Sequence, residues 1–273
     1  MNRLMNGLGA TSAAIAASLF VASPALSATL VGTELVLSVD VSGSIDSNEY
    51  ILQQEGYVNA FRNTDFIDIV TGIEGGVAVT LQMWASDVAD HIGWYHIVDA
   101  ASANAFADAI EAIDRPDSIG EGTNLAGALT SAASLLNTND FIGRQVIDVS
   151  ADGFHKDDPT EPGCNISTQS TSICTDLMEA SRDAVLAQGI TINGLPVVTP
   201  DFPDLDSYFQ QFVIGGEGSF IQIADGFEDF EDAIARKVQR EVTPVPEPSV
   251  TLGLLALGFL CGGSMLKKQQ TKA

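Results

Sequence analysis

Four short apolar runs, Glu34–Val39, Gly76–Trp84, Gln145–Ser150 and Thr191–Val198, are separated by segments whose apolar residues recur at helical spacing. Runs this short and this rich in Val, Ile and Leu read as buried strands. The helical stretches between them are marked by Ile51, Tyr57, Val58 and Phe61, by Phe106, Ile110 and Ile113, and by Leu125, Leu129, Ala132 and Leu136. Two more lie further along: Asp176 to Gln188, closed by Gly189, and a last one striped by Phe227, Phe230, Ile234 and Val238. Asp46 followed by Glu49 has the pattern of a helix-start box. Gly93–Val98 is expected as a shorter strand nearer an edge, and Ser219–Ile223 as the last strand. Strands joined through helices need crossover connections. The expected fold is therefore α/β: a Rossmann-like doubly wound, mostly parallel sheet with helices on both faces. In such sheets ligands bind beyond the carboxyl ends of strands. That rule selects the loops after Val39, Ser150 and Val198.

The 273 residues are ample for one core. Their charge is lopsided: 36 acids against 12 Lys and Arg, a formal net charge of -24. A surface of that sign repels phosphate backbones and anionic lipid headgroups alike, so no nucleic-acid partner is expected. It suits divalent cations and neutral or cationic partners. The abundance of Phe, Ile, Val and Leu separates this acidity from that of a disordered chain.

Both ends read as addresses. Arg3, the Ala-rich run from Ala13 to Ala22 and the small residues Ala25-Leu26-Ser27 make residues 1–27 a secretory signal, cleaved after Ser27. At the other end, Val245-Pro246-Glu247-Pro248-Ser249 precedes the apolar stretch Val250 to Leu266 and the pair Lys267-Lys268. Seventeen residues are at the lower limit for a bilayer span, and the lysines would remain cytoplasmic. This order of elements, over residues 243–273, resembles the PEP-CTERM sorting signal of Gram-negative bacteria. The resemblance implies export across the inner membrane, transient membrane anchoring through the C-terminal helix, and processing by an exosortase-type enzyme. It implies a final location at the cell surface or in the extracellular matrix, in association with exopolysaccharide production.

Asp40-x-Ser42-x-Ser44 follows the first strand directly. Where a strand ends and the chain turns, alternate side chains can converge, and here they offer a carboxylate and two hydroxyls. Hard oxygens of this kind suit Mg2+, which takes about six of them. Thr123, in Gly120-Glu-Gly-Thr-Asn124 before a helix, and Asp152, in Ser150-Ala-Asp-Gly153 at the end of another strand, are placed on the same sheet edge.

The set resembles the metal-ion-dependent adhesion site of von Willebrand factor type A domains, and the similarity spans residues 28–242. The segments 76–84, 191–196 and 213–216 further resemble a bacterial subgroup of unknown function. The resemblance implies Mg2+ (or Mn2+ or Ca2+) held by Asp40, Ser42, Ser44, Thr123 and Asp152. Ser42 and Ser44 would ligate directly, Thr123 would be the switchable ligand, and Asp40 and Asp152 the charged supports. The last coordination place would take an acidic group of an unknown protein or polysaccharide. The function implied is that of an exported binding or adhesion protein, not an enzyme.

Two rivals remain at this level. One is a structural component of an exopolysaccharide or biofilm matrix, in which metal only stabilises the fold. The other is a metal-dependent hydrolase using Asp40 or Asp152 as base. Against an enzyme, Ser42 and Ser44 lack a Gly-x-Ser-x-Gly elbow, and His91 and His96 fall near an edge strand. His155 is closer to the cluster but reads as a solvated loop residue. Cys164 and Cys174, in a polar loop, are a local disulfide pair in an oxidising compartment, whereas Cys261 lies in the apolar tail.

Overall fold

The computed structural model describes residues 28–156, 163–164 and 171–243. The expected secretory signal and the expected sorting tail lie outside these residues. Among the described residues, six strands form one sheet in the order β3-β2-β1-β4-β5-β6. They are β1 (Thr29–Asp40), β2 (Val77–Trp84), β3 (Tyr95–Ile97), β4 (Phe141–Ala151), β5 (Thr191–Val198) and β6 (Ala224–Asp225). All neighbours are parallel except β2 and β3, so the one antiparallel strand is an edge. The expected α/β class and doubly wound layout are what the chain adopts.

Around the sheet run α1 (Ser47–Arg62), α2 (Thr64–Thr71), α3 (Ala100–Glu111), α4 (Leu125–Asn137), α5 (Thr171–Leu186), the single turn α6 (Leu205–Tyr208) continuing into a π-helical turn at Phe209–Val213, and α7 (Phe230–Val242). The strand period of two decides which helices cover which face. Leu35, Leu37 and Val39 of β1 join α1, α3 and α7 in one core; Val36, with Ile147 and Val149 of β4, packs against α4 and α5 in the other. Buried on both sides, the central strands carry continuous apolar runs rather than an alternation. Among the described residues no helix is long and apolar enough to cross a membrane.

Two features have local causes, and the second departs from expectation. Asn63 closes α1 with its backbone and opens α2 with its side chain, which accepts from Asp65 N and Phe66 N. One residue thus ends one helix and begins the next. Ser219–Ile223 is not a strand. Asn193 Oδ1 accepts from Phe220 N at 3.1 Å, and Gly194 exchanges bonds with Phe220 and Gln222. A side chain stands in for a ladder bond, and only an isolated bridge from Gly194 to Ile221 forms before β6.

An ion group is sealed in the core. Lys237 of α7 lies 2.5 Å from Asp148 of β4 and 2.6 Å from Glu241, all three essentially inaccessible. Asn193 donates to Glu241 at 3.0 Å. Burial, then the Asp148 carboxylate, push Glu241 up to about 8 against the pull of Lys237. The end of α7 is fastened where the sheet begins: Arg144, near the start of β4, donates to the carbonyl of Glu241. The chain therefore enters β1 and leaves α7 at the end of the sheet opposite the carboxyl ends of the parallel strands.

Candidate metal centre

β1 ends at Asp40 because its side chain turns the backbone: Oδ1 accepts from Ser42 N at 2.8 Å. The chain bends through Gly43 and Ser44 into α1, which opens with the expected capping box. Asp46 accepts from Asn48 N and Glu49 N, and Glu49 accepts from Asp46 N at 2.8 Å. A side chain at position 43 would bring a Cβ within 3.0 Å of Glu121, and Gly43 N donates to Glu121 O at 2.9 Å. The loop that leads to Thr123 therefore lies against the loop that carries the serines. Gly120 in that segment has φ +79°, and a Cβ there would fall 2.7 Å from that of Ser86.

The structure brings all five expected residues together. Ser42 Oγ is 3.3 Å from Ser44 Oγ, Thr123 Oγ1 is 3.4 Å from Ser42 Oγ, and Ser44 Oγ donates to Asp152 Oδ1 at 2.7 Å. Asp40, Ser42, Thr123 and Asp152 are buried, and Ser44 alone is exposed, at the mouth. Burial is the main force raising Asp40 to about 8, reinforced by the Asp152 carboxylate and opposed by the Ser42 hydrogen bonds and Lys156. Burial also raises Asp152, opposed chiefly by the Ser44 hydroxyl.

This donor set fits a hard divalent cation. Asp40 Oδ2 is buried and has no hydrogen-bond partner among the described residues. An unpartnered buried carboxylate oxygen costs on the order of 1–3 kcal/mol or more, and a cation beside it would remove that cost. Two carboxylates and three hydroxyls are oxygen donors of the kind Mg2+ takes, with water completing the shell. None of these five residues offers the thiolate or imidazole that softer metals prefer.

Several supporting residues have no signal in the sequence. Arg115, in the connection after α3, donates from Nη2 to Val41 O at 2.8 Å and to Ser42 O at 2.9 Å. Its guanidinium also lies 5.8 Å from the Tyr50 ring centre. Gln53 of α1 donates to Asp40 O at 3.2 Å. Tyr57 shares a 3.1 Å hydrogen bond with Ser150, one strand repeat below Asp152. His155 corrects an expectation: it is buried, with Nδ1 3.2 Å from Thr123 O. It supports the Thr123 loop instead of standing in solvent. His91 and His96 stay at the β3 edge, against Thr80 and Gly75 O. Cys164 and Cys174 are disulfide-bonded, as expected.

Beside the centre a cleft of about 340 Å³ opens, walled by Ser44, Glu49 and Asp152, by Val198 to Phe202 after β5, and by Asp225 to Glu228 after β6. The loop after Val198 is the third one the strand-end rule selects.

The family described as Protein of unknown function (DUF1194) matches residues 30–246. The chain belongs to that family. No curated protein matches the DUF1194 chain in sequence. Among solved structures, it is similar to the pilus adhesin SpaC from Lactobacillus rhamnosus GG in its open conformation, at 14% identity and TM-score 0.55 over 77% of this chain and 30% of that one. A D319A mutant of the PilB minor pilin from Streptococcus sanguinis aligns at 12% identity and TM-score 0.55, covering 80% of this chain and 64% of that one. Proximal thread matrix protein 1 from the mussel byssus aligns at 14% identity and TM-score 0.50, over 77% and 46%. The DUF1194 chain thus spans less than two thirds of each, and at these identities the likeness is one of fold.

Proposed function

We propose that this DUF1194 protein is an exported binding protein that engages a partner through a divalent cation. Asp40, Ser42, Ser44, Thr123 and Asp152 would hold the cation. One observation carries this reading: five oxygen donors from three separate loops converge at the carboxyl ends of β1 and β4, around a buried Asp40 oxygen that no group among the described residues satisfies. When bound, the cation supplies a Lewis-acidic position for an acidic group of the partner. Asp40 and Asp152 supply compensating charge, Ser42, Ser44 and Thr123 supply neutral oxygens, and Arg115 and His155 hold the loops from behind.

The fold likeness to a pilus adhesin and a minor pilin supports placing this activity outside the cell, and the acidic surface accords with a cation-dependent contact. A serine triad is less well supported, because His155 Nδ1 faces the Thr123 carbonyl and not a serine hydroxyl. The likeness to a byssal thread matrix protein favours a second reading, a matrix spacer stabilised by the metal. Melting of the full chain in EDTA and in Mg2+, Mn2+ or Ca2+ tests the centre, and no cation response would refute it. Metal-dependent attachment of the protein to its own cells separates a binder from a spacer: a spacer would attach equally through an Asp40→Asn variant.

For the tail, the proposal is sorting followed by removal. A plain anchor needs only the apolar run and has no use for Pro246-Glu247-Pro248. Glu247→Ala should leave insertion intact and block release. A mature C-terminus that still carries Leu252 to Lys268 by mass spectrometry would refute this.

A further inference from the structure

The cleft beside the metal centre has a composition of its own. Phe202 gives it a partly exposed aromatic wall, and Asp201, Asp225 and Glu228 stand exposed at its edge. Glu49 also lines it but is engaged by Asp46 N in the helix cap. Phe202 shows what such a wall accepts: Lys156 Nζ lies 5.4 Å from its ring centre. The volume, about 340 Å³, is at the small end of ligand pockets and suits one long side chain with its backbone. Ser44 and Asp152 form one of its walls, so whatever occupies it lies against two of the residues that would hold the metal.

Resting on the metal reading above, we propose that this groove receives a basic side chain, lysine or arginine, placed within a few residues of the acidic group that completes the metal's coordination. The partner is then a protein segment with adjoining acidic and basic residues. Charge complementarity decides the occupant. An acidic group approaching alone meets three exposed carboxylates beside a chain of net charge -24, and an acidic polysaccharide would bring more of the same sign. A neighbouring ammonium or guanidinium cancels that repulsion. Its methylene stem covers the Phe202 ring while its head reaches the carboxylates. Specificity of this kind combines an attraction with a repulsion against the wrong partner.

The test is selection of a peptide library on the full chain in mild detergent, with Mg2+ or with EDTA. Each peptide is a heptamer with aspartate fixed at its centre and random flanks. The expected result is Mg2+-dependent enrichment of lysine or arginine at a flanking position. Replacing that residue by glutamate in a synthetic peptide should weaken binding at least tenfold, and added salt should shrink the difference. A triple Asp201→Asn, Asp225→Asn, Glu228→Gln variant should lose the preference, and the corresponding triple lysine variant should prefer acidic flanks. Mg2+-dependent enrichment with no charge bias, or a bias untouched in both variants, overturns the proposal and leaves the metal reading standing. So does Mg2+-dependent binding of polygalacturonate with no peptide retained, which would make the partner a polysaccharide. Absence of any Mg2+ effect on melting overturns both.

Discussion

Ser44 and Asp152, 108 residues apart in sequence, are joined by a 2.7 Å hydrogen bond between the serine hydroxyl and Asp152 Oδ1. The bond closes the loop after β1 onto the loop after β4, and it sits where the candidate metal centre meets solvent. Two loops that share one cation are expected to share its stabilisation.

Mg2+ should therefore raise the melting temperature of the native chain, and Ser44→Ala should abolish most of the rise. At a hundred times Kd a ligand of the native state contributes about 2.7 kcal/mol, or roughly 5–10 °C for a domain of this size. The alanine removes one oxygen and the partner of Asp152 without touching either core. Equal shifts in wild type and variant, by calorimetry, would remove Ser44 from the site.

Arg115→Met should raise the Kd for Mg2+ about tenfold. The methionine keeps much of the stem but leaves Val41 O and Ser42 O without their donor. Removing a positive charge near a cation acts in the opposite direction, and salt screens that term. The variant's deficit should thus widen as salt is added. Arg115→Lys, which keeps the charge and some donors, should lie between. Titration calorimetry at two ionic strengths measures this, and a deficit that shrinks with salt would contradict it.

Lys237→Met should destabilise the fold by about 3–5 kcal/mol, because it strands Asp148 and Glu241 in the core without their cation. Glu241 also gives the native protein a pH signature. Its folded pKa, about 8, stands above the ordinary carboxyl value of 4.5. The folded state then binds more protons than the unfolded one between those values. Its contribution is full below pH 4.5 and lost as pH rises towards 8. Chemical denaturation with saturating Mg2+ should show stability falling across this window, and Glu241→Gln should flatten the slope.

Replacing Cys164 and Cys174 together by serine should cost up to about 3 kcal/mol, the entropic value for a loop of this length. Cys174 lies in the first turn of α5, so the loss should be concentrated there. Hydrogen exchange should show earlier opening of α5. Peptide mapping without reductant that finds both thiols free in exported protein would show the bond is not made.

The sequence discloses most where local chemistry and fold agree. Asp40, Ser42 and Ser44 are legible because a strand end, a turn and a helix cap succeed one another within ten residues. Thr123 and Asp152 are legible only through the strand-end rule and the resemblance, which place them on one edge without saying that they touch. Arg115 carries no local pattern. A lone arginine before Pro116 reads as a surface loop, and only the folded backbone turns two carbonyls towards it. His155 misleads for a related reason: its polar neighbours suggest solvent, while Thr123 O, 32 positions earlier, supplies the contact that buries it. The ion group of Lys237, Asp148 and Glu241 is hidden too, since the two acids fall on elements whose pairing no spacing encodes.

The route from α7 to the metal loops has a mechanical consequence. β4 carries Asp148, gripped by Lys237 of α7, and leads directly to Asp152, four residues further on. If the chain is held through its residues beyond Val242 and pulled by a partner at Ser44 and Asp152, tension crosses from helix to strand at Lys237. From there it runs along β4 to the far pole. β1, about 40 Å long at strand rise, lies parallel beside it and takes the load lengthwise. The hydrogen bonds between the two strands would then be sheared together, not peeled one after another, so a tug on the partner meets the sheet along its stiffest direction.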